Sequence, residues 1–238
     1  MSLYEKAWQD VRLRIMVAAR AANRDSNTIR LLAVSKGQSI DAIRAAYALG
    51  QRAFGENYVQ EAVAKADALA DLRDIEWHLI GPLQSNKAGL AAQRFAWVET
   101  VDRAKIAERL ASSRDAHLPP LNVCVQVNIS GEASKSGVAP DATLALLRSV
   151  SSLRQLAVRG LMGIAEATPD VARQRPQFRM LRELFDAAHA EGMELDTLSM
   201  GMTQDLEAAI AEGATLVRVG TALFGPRATK SSETAKQG

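Results

Sequence analysis

Short apolar runs alternate with amphipathic stretches along almost the whole of this chain, and that alternation limits the fold more than any other feature. The runs begin near Leu31, Ala53, Ile75, Trp97, Val123, Val158, Leu198 and Leu216. Nearly all are separated by a stretch with helical period. Ile40, Ile43 and Tyr47 share one face, as do Val59, Ala62, Val63 and Ala66. Phe178, Leu181, Leu184, Phe185 and Ala188 make the clearest stripe. Leu49-Gly50, Glu191-Gly192 and Glu212-Gly213 end three helices in glycine, the residue that closes a helix in a left-handed conformation at least cost. Strand–helix alternation implies right-handed crossovers and parallel pairing. Eight such units close into a barrel of about 250 residues, and this chain has 238. The pattern therefore predicts an α/β protein, a single (β/α)8 TIM barrel over residues 1–227. An extra N-terminal helix (Tyr4, Trp8, Val11, Ile15) packs beneath or beside it, and residues 228–238 form a disordered tail. The barrel uses up the chain, leaving no room for a second domain. A doubly wound open sheet is the alternative. If it bound a dinucleotide it would need a glycine-rich phosphate loop after an early strand, which Gly37 alone does not supply.

Composition narrows the function classes. A net charge of +2, from 29 Lys and Arg against 27 Asp and Glu, gives no general attraction for nucleic acid, and aromatics at 5% offer few stacking platforms. The one cysteine, Cys124, cannot form an intrachain disulfide and reads as a small buried hydrophobe between Val123 and Val125. The start of the chain lacks a signal-peptide layout, and no stretch approaches the ~18 uncharged apolar residues of a membrane span. The histidines form no cluster, and no Cys/His spacing suggests a metal. A soluble cytoplasmic protein that binds neither nucleic acid nor membrane is expected.

In a barrel of this kind the active site sits at the carboxyl ends of the strands, with phosphate commonly held after strands seven and eight. Read by that rule, strand one ends at Lys36 after Leu31-Leu32-Ala33-Val34-Ser35. An apolar approach disfavours the protonated amine and suits Schiff-base chemistry with carbonyls; a lysine snorkelling from a strand end is the structural alternative. Strand two exits at Asn57. Strand three carries His78, which fits a hydrogen-bonded core role better than a catalytic one. Ser199, Thr203 and Thr221 offer hydroxyls after the last two strands, while Gly201 and Gly220 let backbone N–H groups approach an anion. Thr203 is also placed to cap a helix starting at Gln204. Arg218, between Val217 and Val219, points into the barrel mouth, toward either an internal ion pair or a ligand. The polar loop 128–137 brings a second lysine, Lys135, to the rim. Ser35 has no histidine or aspartate near it in sequence to suggest a triad.

Six ordered motifs resemble one family: Ala33-Val34-Ser35-Lys36; Phe54-Gly55-Glu56-Asn57-Tyr58; His78-Leu79-Ile80-Gly81-Pro82-Leu83-Gln84-Ser85-Asn86-Lys87; Val127-Asn128-Ile129-Ser130 with Ser134-Lys135-Ser136-Gly137; Ser199-Met200-Gly201-Met202; and Arg218-Val219-Gly220-Thr221. The chain is similar, from about Leu3 to Gly225, to the pyridoxal phosphate homeostasis (YggS/PROSC-type) family. The resemblance implies a fold-type III barrel like the amino-terminal domain of alanine racemase, with pyridoxal 5'-phosphate linked to Lys36 as an internal aldimine. It implies phosphate contacts from Ser199, Gly201, Gly220 and Thr221, with Arg218 directed at the pyridine nitrogen. Asn57 and His78 complete the cofactor-binding set. Two positions depart from the family pattern. Thr203 stands where serine is usual, and Leu161-Met162-Gly163-Ile164-Ala165-Glu166 replaces a Met-x-Ile-Pro segment, which alters the rim beside the cofactor.

A racemase of this fold type needs acid/base groups on both faces of the substrate carbanion. The resemblance implies that alanine racemase takes one of them from a partner subunit, in a dimer built with an added β-domain. The expectation here is a monomeric pyridoxal phosphate carrier, without catalytic residues of its own, that buffers the cofactor or delivers it to apoenzymes. A single-domain racemase and a phosphate-ester-binding barrel without Schiff-base chemistry are the alternatives.

Overall fold

The computed structural model describes residues 3–132 and 135–225. Eight strands form one closed barrel in chain order: β1 (Arg30–Val34), β2 (Ala53–Glu56), β3 (Glu76–Leu79), β4 (Trp97–Val101), β5 (Leu121–Val127), β6 (Leu156–Gly163), β7 (Thr197–Ser199) and β8 (Leu216–Val219). Every neighbouring pair is parallel, and β8 closes on β1 from Arg30↔Leu216 to Ala33↔Val219. The open sheet is thereby excluded. Each strand begins within two residues of the run that announced it.

Nine helices are described: α1 (Leu3–Ala21), α2 (Ile40–Ala48), α3 (Val59–Ala68), α4 (Ala88–Arg94), α5 (Ala104–Ser113), α6 (Thr143–Ser151), α7 (Val171–Ala190), α8 (Leu206–Ala211) and α9 (Thr221–Phe224). Strand side chains alternate between the barrel interior and the helices. On β8, Val217 and Val219 join the apolar shell under the helices, while Leu216 and Arg218 turn inward; on β3, Trp77 and Leu79 face out and His78 in. That shell is the main core. Phe54 and Phe178 are among its fully buried members, each contributing about 1.5–3 kcal/mol by leaving water.

The barrel interior is different in kind. Two small apolar clusters, Leu32–Ala53–Leu216 and Trp97–Cys124–Met162, share it with the buried polar side chains of His78, Glu99, Ser199 and Arg218. Cys124 is fully buried, as its apolar neighbours in sequence suggested.

Helix α1 lies beside the barrel, along α8 and α9. Trp8 meets Phe224 edge-on at 5.7 Å, and Arg14 bonds both Glu207 and the Thr203 carbonyl, the latter at 2.8 Å. The expected cap by Thr203 is corrected: α8 begins at Leu206, and the Asp205 carboxylate accepts the Met202 N–H instead. Asp205 turns its carboxylate back to a loop N–H three residues earlier, and an ionised acceptor makes a stronger bond there than a threonine hydroxyl would. The tail from Ala228 lies outside the described residues. Among the described residues, no helix is long and apolar enough to cross a membrane, and no group of three or more His, Cys, Asp or Glu side chains is arranged to hold a metal ion.

Candidate functional site

A cavity of about 380 Å³ opens at the carboxyl-terminal ends of the strands. That is within the ~300–1,000 Å³ typical of small-molecule sites. Lys36 enters it from the turn after β1, two residues past the strand end at Val34. Asn57 follows β2 directly. Its backbone passes so close to Gly81 that a Cβ there would sit 2.2 Å from the Asn57 carbonyl oxygen, so Gly81 fixes where Asn57 stands. Arg218, Gly220 and Thr221 complete the β8 side, and Met202, Thr203, Gln204 and Asp205 form the β7 side. The β6 exit contributes Ile164, Glu166, Ala167 and Thr168, the segment that departs from the family pattern.

Five of the eight residues expected from the sequence thus meet at one cavity. The other three do not line it: Ser199 and Gly201 bond Arg218 directly, and His78 joins the same network through Glu99. Ser199 is fully buried and its hydroxyl accepts from Arg218 Nη1 at 2.6 Å while donating to Glu99 Oε2 at 2.5 Å. Gly201, at φ +92°, has its carbonyl bonded to the Arg218 N–H at 2.9 Å. A side chain at that position would meet the Ala209 Cβ at 2.6 Å, so the loop needs glycine. His78 donates from Nδ1 to Glu99 Oε1 at 2.7 Å and stacks on Trp97 at 5.0 Å. Its Nε2 is 3.7 Å from Glu76 Oε2, beyond hydrogen-bond reach, so Glu99 is its partner.

Glu99 was missed in the sequence. Burial by itself raises its carboxyl, but the hydrogen bond from His78, the charges of His78 and Arg218, and the Ser199 hydroxyl outweigh that and hold it below the ordinary carboxylate range. Burial lowers the Arg218 guanidinium, with Glu99 opposing. Arg218 also donates from Nη2 to the Gly163 carbonyl at 2.9 Å, which ties β8 to the end of β6. The internal ion pair considered for Arg218 is realised indirectly, with the Ser199 hydroxyl between the charges. The signal that would have found Glu99 is the one that found Arg218, a charged residue inside an apolar run, here Trp97-Val98-Glu99-Thr100-Val101.

A second buried cluster lies beneath Lys36. Lys65 Nζ bonds the Ser35 carbonyl, Glu56 Oε1 and Glu61 Oε1. Lys65 sits on α3 among Val59, Ala62, Val63 and Ala66, where a lysine ordinarily reads as part of a solvated helix face. The loop after β5 folds back on that strand through Val127↔Val138, and Lys135 Nζ reaches Glu132 and, at 3.3 Å, the Ala165 carbonyl. Lys135 does not line the cavity.

The chemistry of the cavity wall suits a phosphorylated aldehyde. A primary amine, a buried guanidinium, three hydroxyls and two glycines share one concave surface, and its acidic members are engaged elsewhere: Asp205 by Met202, Glu166 by Arg173. Residues 14–228 match the family described as alanine racemase, N-terminal domain. The chain is 57% identical over 217 residues to the pyridoxal phosphate homeostasis protein of Pseudomonas aeruginosa, covering 91% of this chain and 93% of that one. It belongs to the pyridoxal phosphate homeostasis protein family. The Escherichia coli K12 member is 48% identical over 219 residues, 91% of this chain and 94% of that one. Among solved structures, the PipY protein of Synechococcus elongatus with pyridoxal phosphate bound is 41% identical, with a TM-score of 0.77 over 89% of this chain and all of that one. An alanine racemase of Clostridium difficile, 11% identical, has a TM-score of 0.71 over 93% of this chain and 57% of its own, which is a likeness of fold.

Proposed function

We propose that this chain binds pyridoxal 5'-phosphate at the barrel mouth and serves as a reservoir or carrier of it. The observation that carries the reading is the meeting of Lys36, Asn57, Arg218, Gly220 and Thr221 at one cavity. The cofactor would supply an aldehyde that condenses with an amine, C=N replacing C=O as water leaves. Lys36 supplies that amine. Thr221, Thr203 and the Gly220 backbone receive the phosphate, and Asn57 borders the same space. Arg218 donates to the pyridine nitrogen; a guanidinium cannot accept a hydrogen bond, so that nitrogen stays unprotonated. Ser199, Gly201 and His78 act on the cofactor through Arg218, by fixing its side chain and backbone.

The titratable side chains on the cavity wall support carriage over catalysis. Among the described residues they are Lys36, Glu166, Asp205 and Arg218. Asp205 is held by a backbone N–H, Glu166 by Arg173, and Arg218 by Ser199 and Gly163. None is left as a second acid/base opposite Lys36, as racemisation requires. Delivery to apoenzymes, action as a monomer and a cytoplasmic location belong to the same proposal. Equilibrium binding of pyridoxal phosphate, followed by its absorbance, tests the first half. Solvent deuterium uptake at the α-carbon of alanine or serine tests the second: no uptake above free cofactor is expected, and rapid uptake would make the protein an enzyme.

A further inference from the structure

The residues on either side of Lys36 are fastened to one buried charge cluster. Lys65 is 6% exposed, and its ammonium reaches the Ser35 carbonyl at 2.7 Å, Glu56 Oε1 at 2.8 Å and Glu61 Oε1 at 2.7 Å. All three ammonium donors are thereby used. The Ser35 hydroxyl donates to the same Glu56 oxygen at 2.6 Å, and the Gly37 N–H donates to the same Glu61 oxygen at 2.7 Å. Ser35 is thus held by carbonyl and hydroxyl, Gly37 by its N–H, and Lys36 is the residue between them.

Stability alone is a poor reason for this arrangement. A buried ion pair is often no more stabilising than apolar residues of the same volume. Glu56 makes the cost visible: it is fully buried with Oε2 unpartnered, and burial pushes its carboxyl up against the opposing pull of Lys65. What the cluster does supply is geometry. It joins the end of β2 and the first turns of α3 to the turn that carries the amine, through the Ser35 carbonyl and hydroxyl and the Gly37 N–H.

We propose that Lys65 is a positioning residue for Lys36: its cluster sets the Ser35–Gly37 turn so that the Lys36 amine meets a bound aldehyde, while phosphate anchoring by residues after β7 and β8, none of which bonds to the cluster, is independent of it. This rests on the pyridoxal phosphate reading above. In the step affected, the neutral Lys36 amine adds to the aldehyde carbon and water leaves, with no other reactant. Misplacement of a reacting group by about 1 Å costs on the order of a hundredfold in rate.

The test uses Lys65→Met, which keeps the aliphatic stem, and the double variant Lys65→Met/Glu56→Gln, which also removes the carboxylate left stranded. Each is mixed with saturating pyridoxal 5'-phosphate, quenched with borohydride at intervals, and the reduced Lys36 peptide is counted by mass spectrometry. Affinity for pyridoxine 5'-phosphate, which bears an alcohol in place of the aldehyde, is measured in parallel. Capture at Lys36 is expected to slow about tenfold or more, with the alcohol's Kd within a factor of about two of the parent's. Parental capture rates, or equal losses in both measurements, would overturn the proposal. If both variants fail to fold, Glu61→Ala, at 29% side-chain exposure, removes the acceptor of the Gly37 N–H together with one of the three Lys65 partners. It should slow capture by a factor of about three, and no slowing would overturn the proposal. Undiminished total borohydride-fixed pyridoxal 5'-phosphate, summed over all peptides, in a Lys36→Ala control would instead overturn the underlying reading, and this proposal with it.

Discussion

Glu99→Gln is the substitution that most directly probes the polar interior of the barrel. Glu99 is fully buried and accepts two bonds, from His78 Nδ1 at 2.7 Å and from Ser199 Oγ at 2.5 Å. Glutamine has the same shape but one acceptor oxygen, so its amide N–H must face one of those two donors. It also removes the buried negative charge that offsets Arg218. Breaking a buried charged network in this way costs about 3–5 kcal/mol, against a typical domain stability of about 5–15 kcal/mol. At about 2–4 °C per kcal/mol for a chain of this length, the melting midpoint should fall by about 6–20 °C. Circular dichroism on heating reads this directly. Glu76→Gln is the control, since its ion pair with Arg30 is nearly half exposed on both sides and is worth about 1 kcal/mol or less. The acid dependence adds a second reading. The Glu99 carboxyl is held below its ordinary range in the folded state. Its contribution is therefore present above the unfolded value of about 4.3 and is lost as pH falls through the folded value. The gap between parent and Glu99→Gln should then close on acidification below about pH 4. A drop no larger than that of Glu76→Gln, or a gap that ignores pH, would refute the role assigned to Glu99.

The remaining predictions concern the cavity and the thiol. Thr221→Ala should weaken pyridoxal 5'-phosphate binding about ten- to a hundredfold, the value of a hydrogen bond to a charged group. Binding of pyridoxal, which lacks the phosphate, should scarcely change, and equal losses for both would point to damage elsewhere. Arg218→Gln should shift the absorption band of bound cofactor, because the ring nitrogen is then free to protonate; an unchanged band at full occupancy would show that Arg218 does not reach it. Cys124 is fully buried, and burial pushes its thiol well above the ordinary range. Iodoacetamide should leave it untouched in the folded protein and modify it once urea is added; rapid alkylation without urea would contradict its placement.

The barrel was legible in the sequence because its strands are buried on both faces and announce themselves as short apolar runs, with helical stripes between them. Arg218 was legible for the complementary reason, a charge interrupting such a run. Its partner Glu99 carries the same mark less plainly, because Thr100 follows it and the run reads as less apolar. Lys65 carried no mark at all. What buries it is the approach of α3 to the turn after β1, a tertiary event that helical periodicity cannot report. Ser199 and Thr203 illustrate a third limit. Ser199 is the last residue of β7 and turns down toward Glu99, while Thr203 lies four residues on, in the loop that forms the cavity wall, and sequence alone does not say where the strand gives way to that loop.

Everything proposed for the cavity depends on Lys36 being the amine that takes the aldehyde. The most direct measurement is to incubate the protein with pyridoxal 5'-phosphate, reduce with borohydride, and map the modified lysine by peptide mass spectrometry, beside Lys36→Ala treated in the same way. One reduced adduct is expected on the peptide carrying Lys36 and none above background in Lys36→Ala. An adduct confined to Lys135, or one that persists undiminished in Lys36→Ala, would contradict it.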